Sequence, residues 1–366
     1  MKNLQDSAYM RMAYSLAEKA LGWTSPNPYV GAVVVKNQQI LGSGYHEKPG
    51  RPHAEAAALD IAGARARGGT LYLTLEPCTH WGRTPPCTDK ILASGISRAV
   101  ISDLDPNPVV HSKGVNIMKE SGIKVSLGLL REANRRLNEA YFKFITQRIP
   151  FVTLKAALSL DGKLAARSGD SQWISGEAAR NYIHLLRGEH DAIMVGVETL
   201  RIDRPRLTVR HPRWKNKSVI RVILDSGLRF PVDAPIWDTR EKGEIWIYTL
   251  SGTDPEKAEI LREKGAEVIF LESESRALKL TEVLRSLSSR GISSLLVEGG
   301  GRLHTSFLEN RLADKVLFTL SPLLIGGQDS PGLYQGKGSD RIKNALKLKK
   351  MRAFPLERDW VVEGYL

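Results

Sequence analysis

The residues best suited to chemistry stand close together in the first third of the chain. The segment HAEAAALDIA sets His53 and Glu55 at the head of a helix pattern, and EPCTHWGRTPPC carries both cysteines, Cys78 and Cys87. In a reducing compartment a structural disulfide is a poor account of two thiols, and metal binding or catalysis is a better one. One imidazole and two thiolates suit a tetrahedral zinc ion, and three protein ligands leave the fourth position for water. Two thiolates neutralise the ion, so a nearby base must complete the deprotonation of that water and return the proton. Glu55 is the candidate, and a purely structural zinc site would take a fourth ligand and need no such carboxylate.

A His, a Glu two residues on, and then Pro-Cys, here Pro77 and Cys78, is the signature of zinc-dependent base deaminases, in which the Glu shuttles protons. The chain departs from it in one respect: eight residues separate Cys78 from Cys87 where the usual form has two. The enlarged loop can reach over a pocket, and its His80 and Arg83 can bind a substrate phosphate. Cys87 opens the next helix pattern, where the helix dipole favours a thiolate.

The second half offers a weaker signal. LLVEGGGRLHTSF at 295–307 reads as an apolar strand, a glycine-rich turn and a helix start, a geometry that brings backbone N–H groups up to a phosphate. His304 stands where GxGxxG would place its last glycine, so the usual dinucleotide fingerprint is absent and a simple tight turn remains open on this stretch alone. Lys155, in an otherwise apolar strand pattern, is a polar contact or proton relay. Arg187 and Arg210 can pair with a phosphate, with surface salt bridging as the plainer alternative.

These groups require a layered scaffold. Helix patterns near 6–21, 54–66, 87–94 and 115–121 alternate with strand patterns near 30–35, 39–44, 70–75, 98–102 and 123–127. One charged helix covers 130–147 and is stopped by Pro150, which places a domain boundary between 148 and 149. A second alternation follows, with strands near 151–158, 191–195, 219–225, 244–249, 266–270, 294–297 and 314–320. A chain of 366 residues with 42% hydrophobic residues supports two cores. The N-terminus lacks the apolar run of a signal peptide and no run reaches the roughly 20 residues that span a bilayer, so a cytoplasmic protein without a membrane partner is expected. A net charge of +13 favours anionic partners, whether phosphorylated small molecules or nucleic acid.

The stretches TSPNPYVGAVVV at 24–35, HAE at 53–55, EPCTHWGRTPPC at 76–87 and DPNP at 105–108 resemble the bifunctional riboflavin-biosynthesis deaminase-reductases. In the second half, LKAALSLDGKLA, SQWISG, VGVETLRIDRPRLTVR and LDSGLRFP resemble the reductase part of the same family. The resemblance implies an α/β fold class: a cytidine-deaminase-like three-layer α/β/α domain at 1–148 and a dihydrofolate-reductase-like α/β domain at 149–366. It implies zinc and NADPH as cofactors, a phosphoribosylaminopyrimidine substrate, and hydrolytic deamination followed by reduction of the ribosyl group to ribityl. In the first domain it adds Asn27, His46, Asp105 and Asn107 to the pocket. In the second it implies NADPH contacts at Ala157, Trp173, Thr199, Asp203 and Ser226, and along the turn Gly300, Gly301, Arg302, Leu303, His304, Thr305 and Ser306. Substrate contacts follow at Ser171, Arg187, Leu207, Arg210 and Glu298. A homo-oligomer is the usual outcome for such enzymes. The rival reading is a nucleic-acid editing deaminase with a C-terminal binding module, which calls for aromatic-rich RNA-binding strands or a helix-turn-helix; the second half shows neither pattern.

Overall fold

In the first unit, short apolar strands alternate their side chains between two faces, and each face needs its own helical cover. The computed structural model describes residues 2–81 and 85–366, and the chain divides into two units, Met1–Arg148 and Ile149–Leu366. The first unit runs α1 (Lys2–Ala17), β1 (Gly31–Lys36), β2 (Gln39–Tyr45), α2 (Ala54–Ala62), β3 (Thr70–Leu75), α3 (Cys87–Ala93), β4 (Arg98–Asp103), α4 (Lys113–Glu120), β5 (Lys124–Leu127), α5 (Arg131–Leu137) and α6 (Glu139–Gln147). Its sheet has the order β2-β1-β3-β4-β5. β1 is antiparallel to β2 and β3, and the remaining neighbours are parallel.

Ala32, Val34, Leu71 and Leu73 face α2, α3 and α4, while Val33, Val35 and Tyr72 face α1. The result is the three-layer arrangement. Two glycines set the depth of α2: a Cβ on Gly42 would lie 2.2 Å from the carbonyl oxygen of Ala58, and one on Gly44 would lie 2.8 Å from that of Ala54. The alanine-rich helix therefore rests directly on the β2 backbone, which fixes where its first turn, with His53 and Glu55, can stand.

The expected single helix over 130–147 is two helices. Asn138 leaves helical geometry at φ −106°, ψ 22°. Its buried amide accepts from Tyr29 N at 2.7 Å and donates to Tyr29 O at 3.0 Å. This side chain offers a strand-like partner to a distant backbone, and the helix breaks to supply it.

The second unit comprises β6 (Phe151–Ser159), α7 (Glu177–Glu189), β7 (Ala192–Gly196), α8 (Val197–Asp203), β8 (Ile220–Leu224), β9 (Ile245–Leu250), α9 (Pro255–Glu263), β10 (Ala266–Leu271), α10 (Leu280–Ser289), β11 (Ser294–Val297), α11 (Gly301–Glu309), β12 (Lys315–Ser321), β13 (Lys349–Leu356) and β14 (Asp359–Tyr365). The sheet order is β10-β9-β8-β7-β11-β6-β12-β14-β13. The pairs from β10 to β12 are parallel and only β14 is antiparallel to its neighbours. Met194, Val222 and Leu295 pack towards α10 and α11, while Ile193, Ile223 and Ile247 pack towards α8 and α9. β13 and β14 lie beyond the last strand expected from sequence. β13 is almost wholly exposed, and it lacks the regular apolar alternation that marks a half-buried strand. No helix is long and apolar enough to cross a membrane among the described residues.

Candidate active sites

The first site is assembled by three local decisions of the chain. α2 starts at Ala54, and His53, with its extended backbone, is the residue immediately before the first turn. α3 starts at Cys87 after Pro86. Between them, Glu76 ends the β3 edge and, though only 4% exposed, accepts hydrogen bonds from the backbone N–H groups of Asp105, Ser112 and Val115 at 3.0–3.2 Å. That carboxylate ties the 105–115 loop to the Pro77–Cys78 turn. Gly114 lets the same loop close in, since a Cβ there would lie 2.4 Å from Pro77 O.

The ligand atoms of His53, Cys78 and Cys87 all lie within 4.8 Å of one another, with His53 Nδ1 3.1 Å from Cys87 Sγ and 3.6 Å from Cys78 Sγ. Cys87 N–H donates to Cys78 Sγ at 3.4 Å. One imidazole and two thiols at this separation fit a tetrahedral zinc ion, with the backbone donor supporting one sulfur. Hydrogen bonding with the Cys87 thiol lowers the Cys78 thiol, while the same proton sharing pushes Cys87 up. Glu55 is 3% exposed, and burial raises its pKa, the direction a proton shuttle needs.

His53, Glu55 and Cys78 line a cavity of about 480 Å³. The structure brings into it Asn27, His46, His53, Glu55, Cys78 and His80, together with Asp105 and Asn107. His46 is buried and its pKa is lowered by that burial, so the ring is neutral near pH 7. Its Nδ1 faces Pro52 O at 3.2 Å, which leaves Nε2 to accept from Asn27 Nδ2 at 3.1 Å. The Asn27 amide is thereby oriented. Asp105 is pushed up to about 6 by burial, against hydrogen bonds from Asn107 N at 2.8 Å and Tyr141 Oη at 2.9 Å. Asn107 caps its own turn, accepting from Val109 N at 3.1 Å. Arg83 lies outside the described residues.

Sequence reasoning did not single out Glu76 or Tyr141. A Glu immediately before the Pro-Cys pair was available as a signal for the first. Tyr141 had none, because it reaches Asp105 from 36 positions away.

In the second unit Glu298 follows the C-terminal end of β11, the end of a parallel strand at which open α/β sheets bind ligands. Val297 of β11 stands beside Leu154 of β6, so Glu298 and Lys155 follow on adjacent strands. Arg187 of α7 meets Glu298 in a two-pronged pair, Nε to Oε1 at 2.6 Å and Nη2 to Oε2 at 2.9 Å. Arg187 Nη1 also donates to Thr208 O at 3.0 Å. Burial pushes Glu298 up, but Arg187 outweighs it and holds the carboxyl at about 2. Lys155 is lowered by burial, partly offset by Glu298.

Arg210 donates from Nε and Nη2 to His184 Nε2 at 3.2 and 3.1 Å, while His184 Nδ1 faces Thr208 O at 3.1 Å. Burial, then the two arginines, drops His184 to about 4, so it stays neutral and accepts. His184 is a further residue that the sequence did not announce. Ser171 Oγ donates to Asp203 Oδ1 at 3.0 Å, linking a substrate candidate to a cofactor candidate. Trp173 is 65% exposed beneath the Arg180 guanidinium, 4.8 Å from the ring centroid. Ala157, Thr199 and Ser226 are half-buried.

Three expectations are corrected in part. Arg187 commits most of its donors to protein partners and is no free phosphate clamp. Leu207 is 3% exposed and its side chain packs in the core. In the 300–306 turn, His304 is fully enclosed and lowered to about 4 by burial, and Thr305 Oγ1 accepts from Gln335 N at 2.7 Å. Gly301 is needed against the 332 backbone, where a Cβ would lie 2.3 Å from Gly332 O. Gly300, Arg302, Leu303 and Ser306 are not enclosed in this way. Gly300 faces open space and caps α11 without a side-chain hydrogen bond, so the helix keeps free N–H donors of the kind that accommodate a cofactor diphosphate.

Residues 3–103 match the family model described as the cytidine and deoxycytidylate deaminase zinc-binding region, and residues 150–362 match the RibD C-terminal domain. The riboflavin biosynthesis protein RibD of Aquifex aeolicus is 46% identical, covering 98% of this chain and 97% of its own. That of Escherichia coli K12 is 36% identical over 95% and 96%. Among solved structures, Acinetobacter baumannii RibD superposes with a TM-score of 0.88 at 34% identity, covering 99% of both chains. The diaminohydroxyphosphoribosylaminopyrimidine deaminase/5-amino-6-(5-phosphoribosylamino)uracil reductase of Thermotoga maritima does so at 0.87 and 35% identity, over 100% and 99%. The editing-deaminase alternative is not favoured by any of these. With zinc-binding deaminase and reductase parts both matched along nearly the whole length, this chain belongs to the RibD family, the bifunctional deaminase-reductases of riboflavin biosynthesis that use zinc and NADPH.

Proposed function

We propose that residues 1–148 deaminate 2,5-diamino-6-(5-phosphoribosylamino)pyrimidin-4-one and that residues 149–366 reduce the ribosyl group of the resulting aminouracil to ribityl. The observation that carries the reading is the buried Glu55 lining one cavity with His53 and Cys78, whose ligand atoms cluster with that of Cys87. Zinc held by these three ligands acidifies water, which is the chemistry it supplies. Glu55 takes the proton of the attacking water and returns it to the leaving amine nitrogen, so that water adds at the amine-bearing carbon, the C–N bond breaks and ammonia departs. Asn27, oriented by neutral His46, holds the pyrimidine edge. Asp105 and Asn107 form the opposite wall, and His80 with Arg83 meets the phosphoribosyl arm.

In the second unit NADPH supplies the hydride. Lys155 Nζ, its proton loosened by burial, is the relay towards the sugar, while Glu298 and Arg187 fix the local charge. Arg210, braced by His184, faces the phosphate. The cofactor contacts are Ala157, Trp173, Thr199, Asp203, Ser226 and the outer face of the 300–306 turn. The enzyme works in the cytoplasm as a homo-oligomer and takes no nucleic acid.

The test compares wild type with Glu55→Ala at equal zinc content. Ammonia release is lost and NADPH oxidation on the deaminated intermediate persists if the assignment holds. Bound zinc without ammonia release in wild type would overturn it.

A further inference from the structure

The lining of the deaminase cavity leaves two cations unaccounted for. Arg51, on the loop before α2, and Arg148, just after α6, are both exposed and both line it. Neither guanidinium has a hydrogen bond or ion pair among the described residues. The carboxylates that line the same cavity are buried and engaged: Glu76 accepts from three backbone N–H groups, Asp105 accepts from Tyr141 and Asn107, and Glu55 stands beside the metal ligands. None is exposed enough to neutralise the mouth. Arg148 also sits at φ 56°, ψ 36°, a left-handed position where glycine fits with less strain.

We infer that Arg51 and Arg148 form a two-arginine clamp for the phosphate of the ribosyl arm, making deamination selective for the phosphorylated pyrimidine over its dephosphorylated riboside. The inference rests on the proposed deamination and extends it to residues outside the enlarged cysteine loop. Both residues line the cavity that holds Glu55 and His53. A pyrimidine against Glu55 and His53 directs its sugar towards the open side of the cavity, where planar guanidinium groups offer paired donors to phosphate oxygens. Paired in this way, each arginine contributes on the order of a tenfold change in affinity.

Arg148→Gly tests the clamp cleanly, because glycine suits the left-handed backbone and removes only the charged arm. Arg51→Gln does the same at the other side. KM for ammonia release from the phosphorylated pyrimidine is expected to rise about tenfold in each variant with kcat nearly unchanged, while KM for the riboside stays where it is in wild type. Ribose 5-phosphate, titrated by calorimetry, should bind wild type and bind the double variant far more weakly. Reductase activity on the deaminated phosphate compound serves as the check on folding. Unchanged KM and unchanged ribose 5-phosphate binding in both variants would overturn the clamp. Absence of ammonia release in wild type would instead overturn the deaminase reading, and calorimetry would still decide the clamp.

Discussion

The two candidate sites treat buried charge in opposite ways. In the first, the thiols of Cys78 and Cys87, the His53 ring and the Glu55 carboxyl are pressed together with no Lys or Arg among them in the described residues. The site is electrostatically incomplete until a divalent ion arrives. In the second, Glu298 already has Arg187 at 2.6 Å, and His184 is kept neutral so that Arg210 can lean on it. That site is complete before any ligand binds. A centre of the first kind gains reactivity from what it recruits, and one of the second kind gains precision from what it has already fixed.

The sharpest way to separate them is to remove a ligand atom. Cys78→Ser should lower ammonia release by about a thousandfold or more and lower bound zinc, measured by elemental analysis, while NADPH oxidation on the deaminated intermediate holds. A fall in both activities would show that the units are not independent. Breaking the complete pair tests the other side: Arg187→Met strands the Glu298 carboxylate, at 8% side-chain exposure, and should cost about 3–5 kcal/mol. Thermal melting would read this as loss of the second unit's transition. A double replacement, Arg187→Met with Glu298→Leu, should recover much of that stability but no reduction.

Acid offers a milder probe. His184 and His304 are lowered to about 4, so the unfolded chain binds their protons first as pH drops. Stability of the second unit is therefore full above roughly pH 6.5 and declines towards pH 4. Fully enclosed His304 contributes up to about 3 kcal/mol to the decline. Glu298, held at about 2, adds its loss only below about 4.5. Denaturant titrations between pH 7 and 4 would check the order, and a flat profile would contradict it. The smallest effect is expected from Tyr141→Phe. Losing that hydroxyl raises Asp105 above its value of about 6, and the acid limb of the ammonia-release profile should move up by about half a unit to one unit.

The contrast also explains what could be read from the residues alone. Metal ligands declare themselves because few residue types serve and their spacing is local, so His53, Glu55, Cys78 and Cys87 were recognisable in two short segments. The strand and helix alternation was equally visible through β12, since those strands are apolar on both faces. Asn138 hid its break because a buried amide bonding to Tyr29 leaves no trace in helical periodicity. His184 and Tyr141 were silent for the same reason, each acting on a partner contributed by another part of the fold. Leu207 lies in a stretch that carries the family likeness and His304 in the glycine-rich turn, yet both side chains pack inward, which only burial reveals.

β14 lies between β12 and β13, with Leu320 opposite Trp360 and Leu356 opposite Asp359. An inner strand of the larger sheet is thus made after both of its neighbours, β12 and β13. The deaminase sheet has all its strands once residue 127 has emerged, and it can fold while the ribosome is still working. The reductase sheet must wait with β12 unpaired on one side until residues 359–365 arrive. During translation the chain therefore passes through an interval with one finished unit and one open edge, and that interval is when it most needs a chaperone.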